Sequence, residues 1–168
     1  MSTLEPETID TDRLVLLPLR VEHAEEMAAA LADPLLHTFI GGAPADPPAL
    51  RTRYERLVAG SPDPAVSWCN WVIRLREQAC LVGTVQATVT GTTAEIAWVV
   101  GTAWQGRGVA TEATRGLLAW LARHAVHTVT AHIHPEHGAS AAVATAAGLT
   151  PTGVWHDGEV AWVRSEHT

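Results

Sequence analysis

The chain contains no lysine, because all eleven of its basic residues are arginines. A Walker phosphate loop, a pyridoxal Schiff base and a lysine nucleophile all need that side chain, so these types of site are excluded. Eighteen acidic residues give a formal net charge of −7. An acidic chain without basic clusters argues against a surface that binds nucleic acid or an anionic membrane.

Cysteine is also scarce, with only Cys69 and Cys80, which form no C-x-x-C pair. Two cysteines are a poor disulfide framework for a domain of this size. The first ten residues are polar and acidic, unlike a signal peptide, and no apolar run reaches the roughly twenty residues of a membrane span. We therefore expect a protein of the reducing cytoplasm.

The 168 residues are 47% hydrophobic and 17% charged, which is the balance of one globular domain spanning residues 1–168. Strand and helix patterns alternate along this domain. We predict strands at 13–19, 68–76, 80–90, 93–100 and 128–134, helices at 21–32, 49–59, 110–125 and 139–147, and a final hairpin at 154–163. Short linkers between the strands from 68 to 100 predict an antiparallel meander. The fold class is mixed α/β, with a mostly antiparallel sheet of seven strands in the order β-α-α-β-β-β-α-β-α-β-β.

The segment from Gln105 to Ala110, with the sequence QGRGVA, leaves a predicted strand and opens a predicted helix. Successive backbone N–H groups and the helix dipole at such a junction can hold a pyrophosphate without any lysine. A plain glycine turn is the alternative for so short a motif. A dinucleotide fingerprint is disfavoured, because Thr111 stands where its third glycine belongs and no acidic residue follows about twenty positions later.

Three stretches together resemble the GNAT superfamily of N-acetyltransferases, in its ribosomal-protein (RimJ/RimL-like) branch. Gln105, Gly108 and Ala110 match the family's acetyl-CoA motif Q/R-x-x-G-x-G/A. TDRLVLLPL at 11–19 resembles the branch's T-x-R-L-x-L-R-P-L, although Leu17 replaces the second arginine. HPEHGASAAVATAAGL at 134–149 resembles N-P-x-N-x-A-S-x-x-V-x-x-x-G-F. The resemblance implies a GNAT-like sheet with helices on both faces.

The same resemblance implies an N-acetyltransferase that moves an acetyl group from acetyl-CoA to a primary amine, without a metal. The acceptor would be a peptide or protein N-terminus or a small amine, with no nucleic-acid or membrane partner; a homodimer follows only from family habit. The implied cofactor-binding residues are Val99, Val100, Gln105, Gly106, Arg107, Gly108, Val109, Ala110, Thr111, His137 and Ser140.

Two residues are catalytic candidates by this resemblance. Glu95, ten residues before Gln105, matches a glutamate that is the general base in several family members. We expect semi-burial on its strand to raise its pKa, although an outward-facing polar residue is equally compatible with the pattern. The tyrosine acid of many members is missing, because the single tyrosine, Tyr54, lies in another segment. Ser140 is the alternative acid, or else a residue that caps its helix.

Several alternatives remain open at this point. The missing tyrosine and His137, which replaces the usual asparagine, are compatible with a catalytically silent CoA-binding module. His132, His134, Glu136 and His137 have the H-x-H-x-[DE]-H spacing of a metal hydrolase. Trp71 and Trp98 either belong to the core or wall the acceptor cleft.

Charge is unevenly distributed along the chain. Residues 1–68 carry eleven acids and five arginines, and residues 69–168 carry seven acids and six arginines. In the resembling family the first part lies beside the acceptor, so we expect acidity there to favour a cationic amine.

Overall fold

The computed structural model describes residues 4–36 and 43–165, and within them the chain forms one eight-stranded sheet and four α-helices. In chain order the elements are β1 (Ile9–Asp10), β2 (Leu14–Pro18), α1 (Ala24–Ala30), α2 (Pro47–Ala59), β3 (Val66–Leu75), β4 (Leu81–Thr90), β5 (Thr93–Val100), α3 (Val109–Arg123), β6 (Thr128–Ile133), α4 (Gly138–Ala146), β7 (Thr150–His156) and β8 (Glu159–Ser165). Short 3-10 helices lie at Val21–His23, Pro34–Leu36 and Thr102–Trp104.

The predicted fold class and element order are confirmed, but the predicted count of seven strands is wrong. The additional strand is β1, whose two residues pair with β2 as Ile9 with Leu16 and Asp10 with Val15. Two residues are too few to show the alternation by which a strand is recognised in a sequence.

The helix α2 begins two residues earlier than predicted. Residues 41 and 42 lie outside the described residues, and α2 begins at Pro47 instead of residue 49. Asp46 caps this helix, since its carboxylate accepts a hydrogen bond from the N–H of Ala49 at 2.9 Å. Proline is well suited to the first helical position because it has no N–H to satisfy.

The strands lie in the order β1-β2-β3-β4-β5-β6-β8-β7, and every neighbouring pair is antiparallel except β5 and β6. The predicted meander is thereby confirmed. The predicted hairpin joins β7 to β8 through Asp157 and Gly158, whose φ angles are 49° and 80°. Positive φ at both central residues is what a type I′ turn requires.

Helices cover both faces of the sheet, as predicted. Alternate residues of β3, including Trp71 and Ile73, point into a core under α3 and α4, where Leu117 and Ala144 are also buried. Val72 points the other way, into a smaller core formed by α1 and α2. We call this second side the α1/α2 face. Of the helices in the described part of the chain, none is long and apolar enough to cross a membrane.

Candidate active site

The two parallel strands separate soon after they meet. Pairing between β5 and β6 covers only Thr93–Glu95 against Thr128–Thr130, at the beginning of each strand. Further along, β5 stays paired with β4 as far as Val100, and β6 stays paired with β8 as far as Ile133. A gap therefore opens between the carboxyl ends of β5 and β6. Ligands of open α/β sheets bind in crevices at such carboxyl ends.

The glycine turn follows β5 after a short 3-10 helix and leads into α3. Gly106 and Gly108 have φ angles of 77° and 76°, and Gly108 is the N-cap of the helix. The first four N–H groups of a helix have no partner within it, and its dipole places partial positive charge there. Gln105 ties the turn to the strand, because its side-chain amide donates to the Val100 carbonyl at 2.9 Å. The exposed turn thus presents donors suited to an anion.

A second set of contacts holds the first turn of α3 against the start of β2. One carboxylate oxygen of Glu112 lies 2.7 Å from Nε of Arg13, and the other accepts from Thr11 Oγ1 at 2.5 Å and from the Arg13 N–H at 2.8 Å. Nη1 of Arg13 donates to the Arg107 carbonyl at 2.9 Å. We call these contacts among Thr11, Arg13, Arg107 and Glu112 the latch, because they join the turn to a strand almost one hundred residues away.

The latch depends on an ionised Glu112. Burial by itself raises the pKa of this carboxyl, but the hydrogen bonds from Thr11 and Arg13, together with the charge of Arg13, outweigh burial and hold the pKa below its usual range. The sequence did not predict the latch, although Arg13 lies in one stretch that carries the family resemblance and Glu112 lies two residues beyond another. The available signal was a lone arginine and a lone glutamate with complementary charge.

Two open cavities flank the latch. The larger, of about 600 Å³, is lined in part by Arg13, Thr111 and Arg115, and the other, of about 450 Å³, in part by Arg107 and Trp104. Acidic side chains line the same cavities, namely Asp12, Glu77 and Glu112. Because Arg13 is paired with Glu112 and Arg115 donates to the Ala146 carbonyl, the exposed Arg107 is the cation on the turn itself. An arginine there favours a phosphate group at this end of the helix.

The other helix at the gap is α4, which begins beside the end of β6. His137 is its N-cap, and Nε2 of His137 lies 3.4 Å from Oγ of Ser140 in the first turn. Burial lowers the pKa of His137, and the charge of His134 lowers it further. A neutral imidazole can accept a hydrogen bond from the hydroxyl of Ser140. Ser140 is a half-buried first-turn residue, and its hydrogen-bonding partner is a side chain instead of the backbone.

Glu95 lies on the α1/α2 face of β5, at the last paired residue before the gap. Its side chain is 58% exposed, and Oε1 lies 3.0 Å from Nδ1 of His132 on β6. The strand pattern predicts a semi-buried carboxylate, and this part of the prediction is wrong, because the α1/α2 face is open to solvent at Glu95. Val99, half-buried, and Val100, buried, lie further along β5 beside the gap.

The two tryptophans considered for the acceptor cleft lie in different environments. Trp71 is fully buried, its Nε1 donates to the Glu7 carbonyl at 2.7 Å, and its ring packs edge-on against Trp120 at 5.0 Å. Its assignment to the cleft is therefore wrong, because it points into the core under α3. Trp98 is half-buried and packs against the same core, on the part of β5 that has left β6.

The histidines with metal-hydrolase spacing have different partners. His132 contacts Glu95, Nδ1 of His134 accepts the N–H of Glu136 at 3.1 Å, and His137 caps α4. Within residues 4–36 and 43–165, no group of three or more His, Cys, Asp or Glu side chains is placed to hold a metal ion.

Comparison with known families matches residues 13–150 to the acetyltransferase (GNAT) domain. The match covers most of the chain, and the sheet, the gap and the glycine turn agree with it. The protein therefore belongs to the GNAT acetyltransferases and is an acetyl-CoA-dependent acetyltransferase. No curated protein sequence matches the chain.

Solved structures agree on the fold. A GNAT acetyltransferase from Bacillus anthracis is 19% identical with a TM-score of 0.78, covering 95% of this chain and 98% of its own. The ribosomal-protein-S5-alanine acetyltransferase from Vibrio fischeri is 15% identical with a TM-score of 0.79, covering 95% and 96%. AAC(6')-Ib in complex with paromomycin and acetyl-CoA is 17% identical with a TM-score of 0.76, covering 92% and 94%.

Proposed function

We propose that this protein transfers the acetyl group of acetyl-CoA to a primary amine by direct attack in a ternary complex. The observation that carries the proposal is the gap between β5 and β6, which opens toward the N-termini of both α3 and α4. An extended cosubstrate can run along β5 while its phosphates meet the donors of α3. The acceptor then approaches from the α1/α2 face, where Glu95 lies.

The residues of the turn fit the pyrophosphate of acetyl-CoA. The N–H groups from Gly106 to Thr111 supply the donors, and Arg107 on the turn supplies positive charge without any lysine. Main-chain groups of Val99 and Val100 extend along the pantetheine chain, and His137 and Ser140 contact the cosubstrate from α4. In this arrangement the thioester lies near the widening of the gap.

The chemistry needs an uncharged amine, a place for the developing oxyanion and a proton for the departing thiolate. Glu95 is the acidic residue of this pair of strands at the gap, and it assists deprotonation of the amine. Ser140 donates its hydroxyl proton to the thiolate and is reprotonated by the second proton that the attacking nitrogen loses. Backbone N–H groups of β5 beside the gap stabilise the oxyanion, which is usually a large part of such catalysis.

For the acceptor we propose a peptide or protein N-terminus, with small amines as the other class. The similar structures include an enzyme whose name specifies a ribosomal-protein alanine and one bound to an aminoglycoside. Some of the acidic side chains in residues 1–68 already have partners within the protein, which leaves fewer of them to attract a cationic amine. Glu25 lies 2.6 Å from Arg51, and Glu26 accepts the N–H of Leu81 at 2.7 Å.

Calorimetric titration with acetyl-CoA tests the binding step, and two glycine variants make it specific. Gly106→Ala and Gly108→Ala impose a similar cost, because both residues have positive φ. At Gly108 the added Cβ would lie 3.3 Å from Nη2 of Arg13, whereas at Gly106 no atom would lie within 4 Å of it. We expect Gly108→Ala to weaken binding several-fold more than Gly106→Ala. Absence of binding by the unaltered protein at high micromolar concentration would overturn the proposal.

The transfer step is tested by measuring CoA release with a panel of amines. The panel contains peptides with free alanine or serine N-termini, an aminoglycoside and a polyamine. Release with one class assigns the acceptor. If the protein binds acetyl-CoA but releases no CoA with any of the amines, the catalytically silent CoA-binding module is favoured. The missing tyrosine acid is the feature that would explain such a module.

A further inference from the structure

Glu95 and His132 form a carboxylate–imidazole pair at the narrow end of the gap. Glu95 belongs to the last paired position of β5, opposite Thr130 of β6, and His132 lies two residues further along β6 on the same face. Oε1 of Glu95 and Nδ1 of His132 are 3.0 Å apart. The pair therefore joins the two strands on the α1/α2 face at the point where they begin to separate.

This contact determines which nitrogen of the imidazole is available. The Glu95 carboxylate lies nearest to Nδ1, so in the neutral imidazole it favours the tautomer with the proton on Nδ1, which leaves the lone pair on Nε2. The His132 side chain is 25% exposed, less than half the exposure of Glu95. Imidazole has an ordinary pKa near 6.5, about two units above that of a glutamate, and is the better proton acceptor at neutral pH.

Residues of three other strands lie next to His132. Glu95 faces it from β5, and the ring of His156 on β7 lies 5.7 Å away between centroids. His156 is itself within 3.2 Å of Asp157 in the hairpin turn. The residue opposite His132 on β8 is Ala161, which carries no charge. Of these neighbours, Glu95 is the acidic side chain in direct contact with His132.

From this geometry we infer that His132 is the general base that deprotonates the acceptor amine, and that Glu95 is a positioning residue that orients its ring. The inference rests on the proposed function and reassigns the proton acceptor within it. The acceptor ammonium loses one proton to Nε2 of His132, and the neutral amine nitrogen forms a bond to the acetyl carbon. The carbon–sulfur bond then breaks, the nitrogen's second proton reaches the thiolate by way of Ser140, and His132 returns its proton to solvent.

The test compares His132→Gln, Glu95→Gln and the control His127→Gln in kcat and kcat/KM between pH 5 and 9. His127 is an exposed histidine at the opposite end of β6, whose backbone N–H pairs with Thr92. An acetyl-CoA affinity equal to that of the unaltered protein, measured by titration calorimetry, would show that a variant retains a folded cofactor site. Should His132→Gln lower that affinity, His132→Asn provides a second variant.

We expect His132→Gln to lower kcat by about 100-fold or more and to remove the acidic limb of the pH profile. Glu95→Gln should lower kcat by about tenfold and keep that limb, because His132 is still the base but its ring is less well oriented. His127→Gln should match the unaltered protein. Nitrogen NMR should find His132 protonated at Nδ1 in the unaltered protein, and this preference should weaken in Glu95→Gln.

Two results would overturn the inference, and they are distinguishable. Near-normal kcat with an intact acidic limb in His132→Gln, together with a 100-fold loss in Glu95→Gln, would make Glu95 the base and leave the acetyltransferase function standing. Absence of CoA release by the unaltered protein with every amine would overturn both the inference and the proposed function.

Discussion

Replacing Glu112 by glutamine should loosen the latch and weaken acetyl-CoA binding, although Glu112 is not one of the turn residues proposed to hold the pyrophosphate. The carboxylate accepts three hydrogen bonds, from Thr11 Oγ1, the Arg13 N–H and Arg13 Nε. A glutamine amide has a single oxygen, so at least one of these donors would face an NH₂ group. The first turn of α3 would then lose part of its attachment to β2.

The magnitude follows from burial. Leaving a donor without its acceptor costs about 1–3 kcal/mol. The side chain of Glu112 is 19% exposed and that of Arg13 is 52% exposed, so solvent screening reduces the ionic contribution to about 0–1 kcal/mol. We expect the free energy of unfolding to fall by about 2 kcal/mol, in line with the loss of a partly buried network. Acetyl-CoA should bind several-fold more weakly, because the Arg107 carbonyl loses a well-oriented Arg13.

Urea denaturation and titration calorimetry measure the two effects. Glu22→Gln is the matched control, since it removes the same charge from an exposed pair with Arg20 at 3.5 Å, and it should change stability by less than about 0.5 kcal/mol. The double variant with Arg13→Gln should lose less than the sum of the single variants. Equal stability of Glu112→Gln and Glu22→Gln would refute the reasoning, and reduced stability with unchanged acetyl-CoA affinity would confine the latch to a structural role.

Three further outcomes follow from the structure. Folding lowers the pKa of Glu112, so the ionised carboxylate stabilises the folded state above pH 4.5, and this stabilisation is lost as pH falls through the depressed pKa. The free energy of unfolding of Glu112→Gln should therefore depend less on pH in the acidic range than that of the unaltered protein. Burial, with the charge of Glu5, raises the pKa of Cys69 to about 11. An aromatic disulfide reagent should therefore label the half-buried Cys80 quickly and the buried Cys69 only when the protein unfolds. Fast labelling that persists in Cys80→Ser would contradict this prediction. Trp71→Phe should lower the free energy of unfolding by about 2 kcal/mol and leave the acceptor KM unchanged, whereas a raised KM would return Trp71 to the cleft.

The sequence predicted those elements whose signals are local. Asp157 and Gly158 predict a two-residue hairpin turn because both residue types tolerate the positive φ that such a turn requires. The linkers between β3, β4 and β5 are so short that these strands can pair only in an antiparallel arrangement. The glycine turn before α3 is recognisable for the same reason. The two-residue strand β1 was missed because its pairing with β2, and not its own residues, makes it a strand.

Contacts between distant residues were decided only by the tertiary structure. The lack of lysine and the turn at Gln105 already predicted a phosphate site built from backbone donors. They did not predict that Arg13, which lies just before β2, would hold the turn through Glu112, 99 residues further along the chain. Nor did alternation along a strand reveal that Glu95 would meet His132, or that Trp71 would point away from the gap. Periodicity places a side chain on one side of a strand, because successive residues alternate. Which side becomes core, and which charges meet there, depends on how the helices pack against the finished sheet.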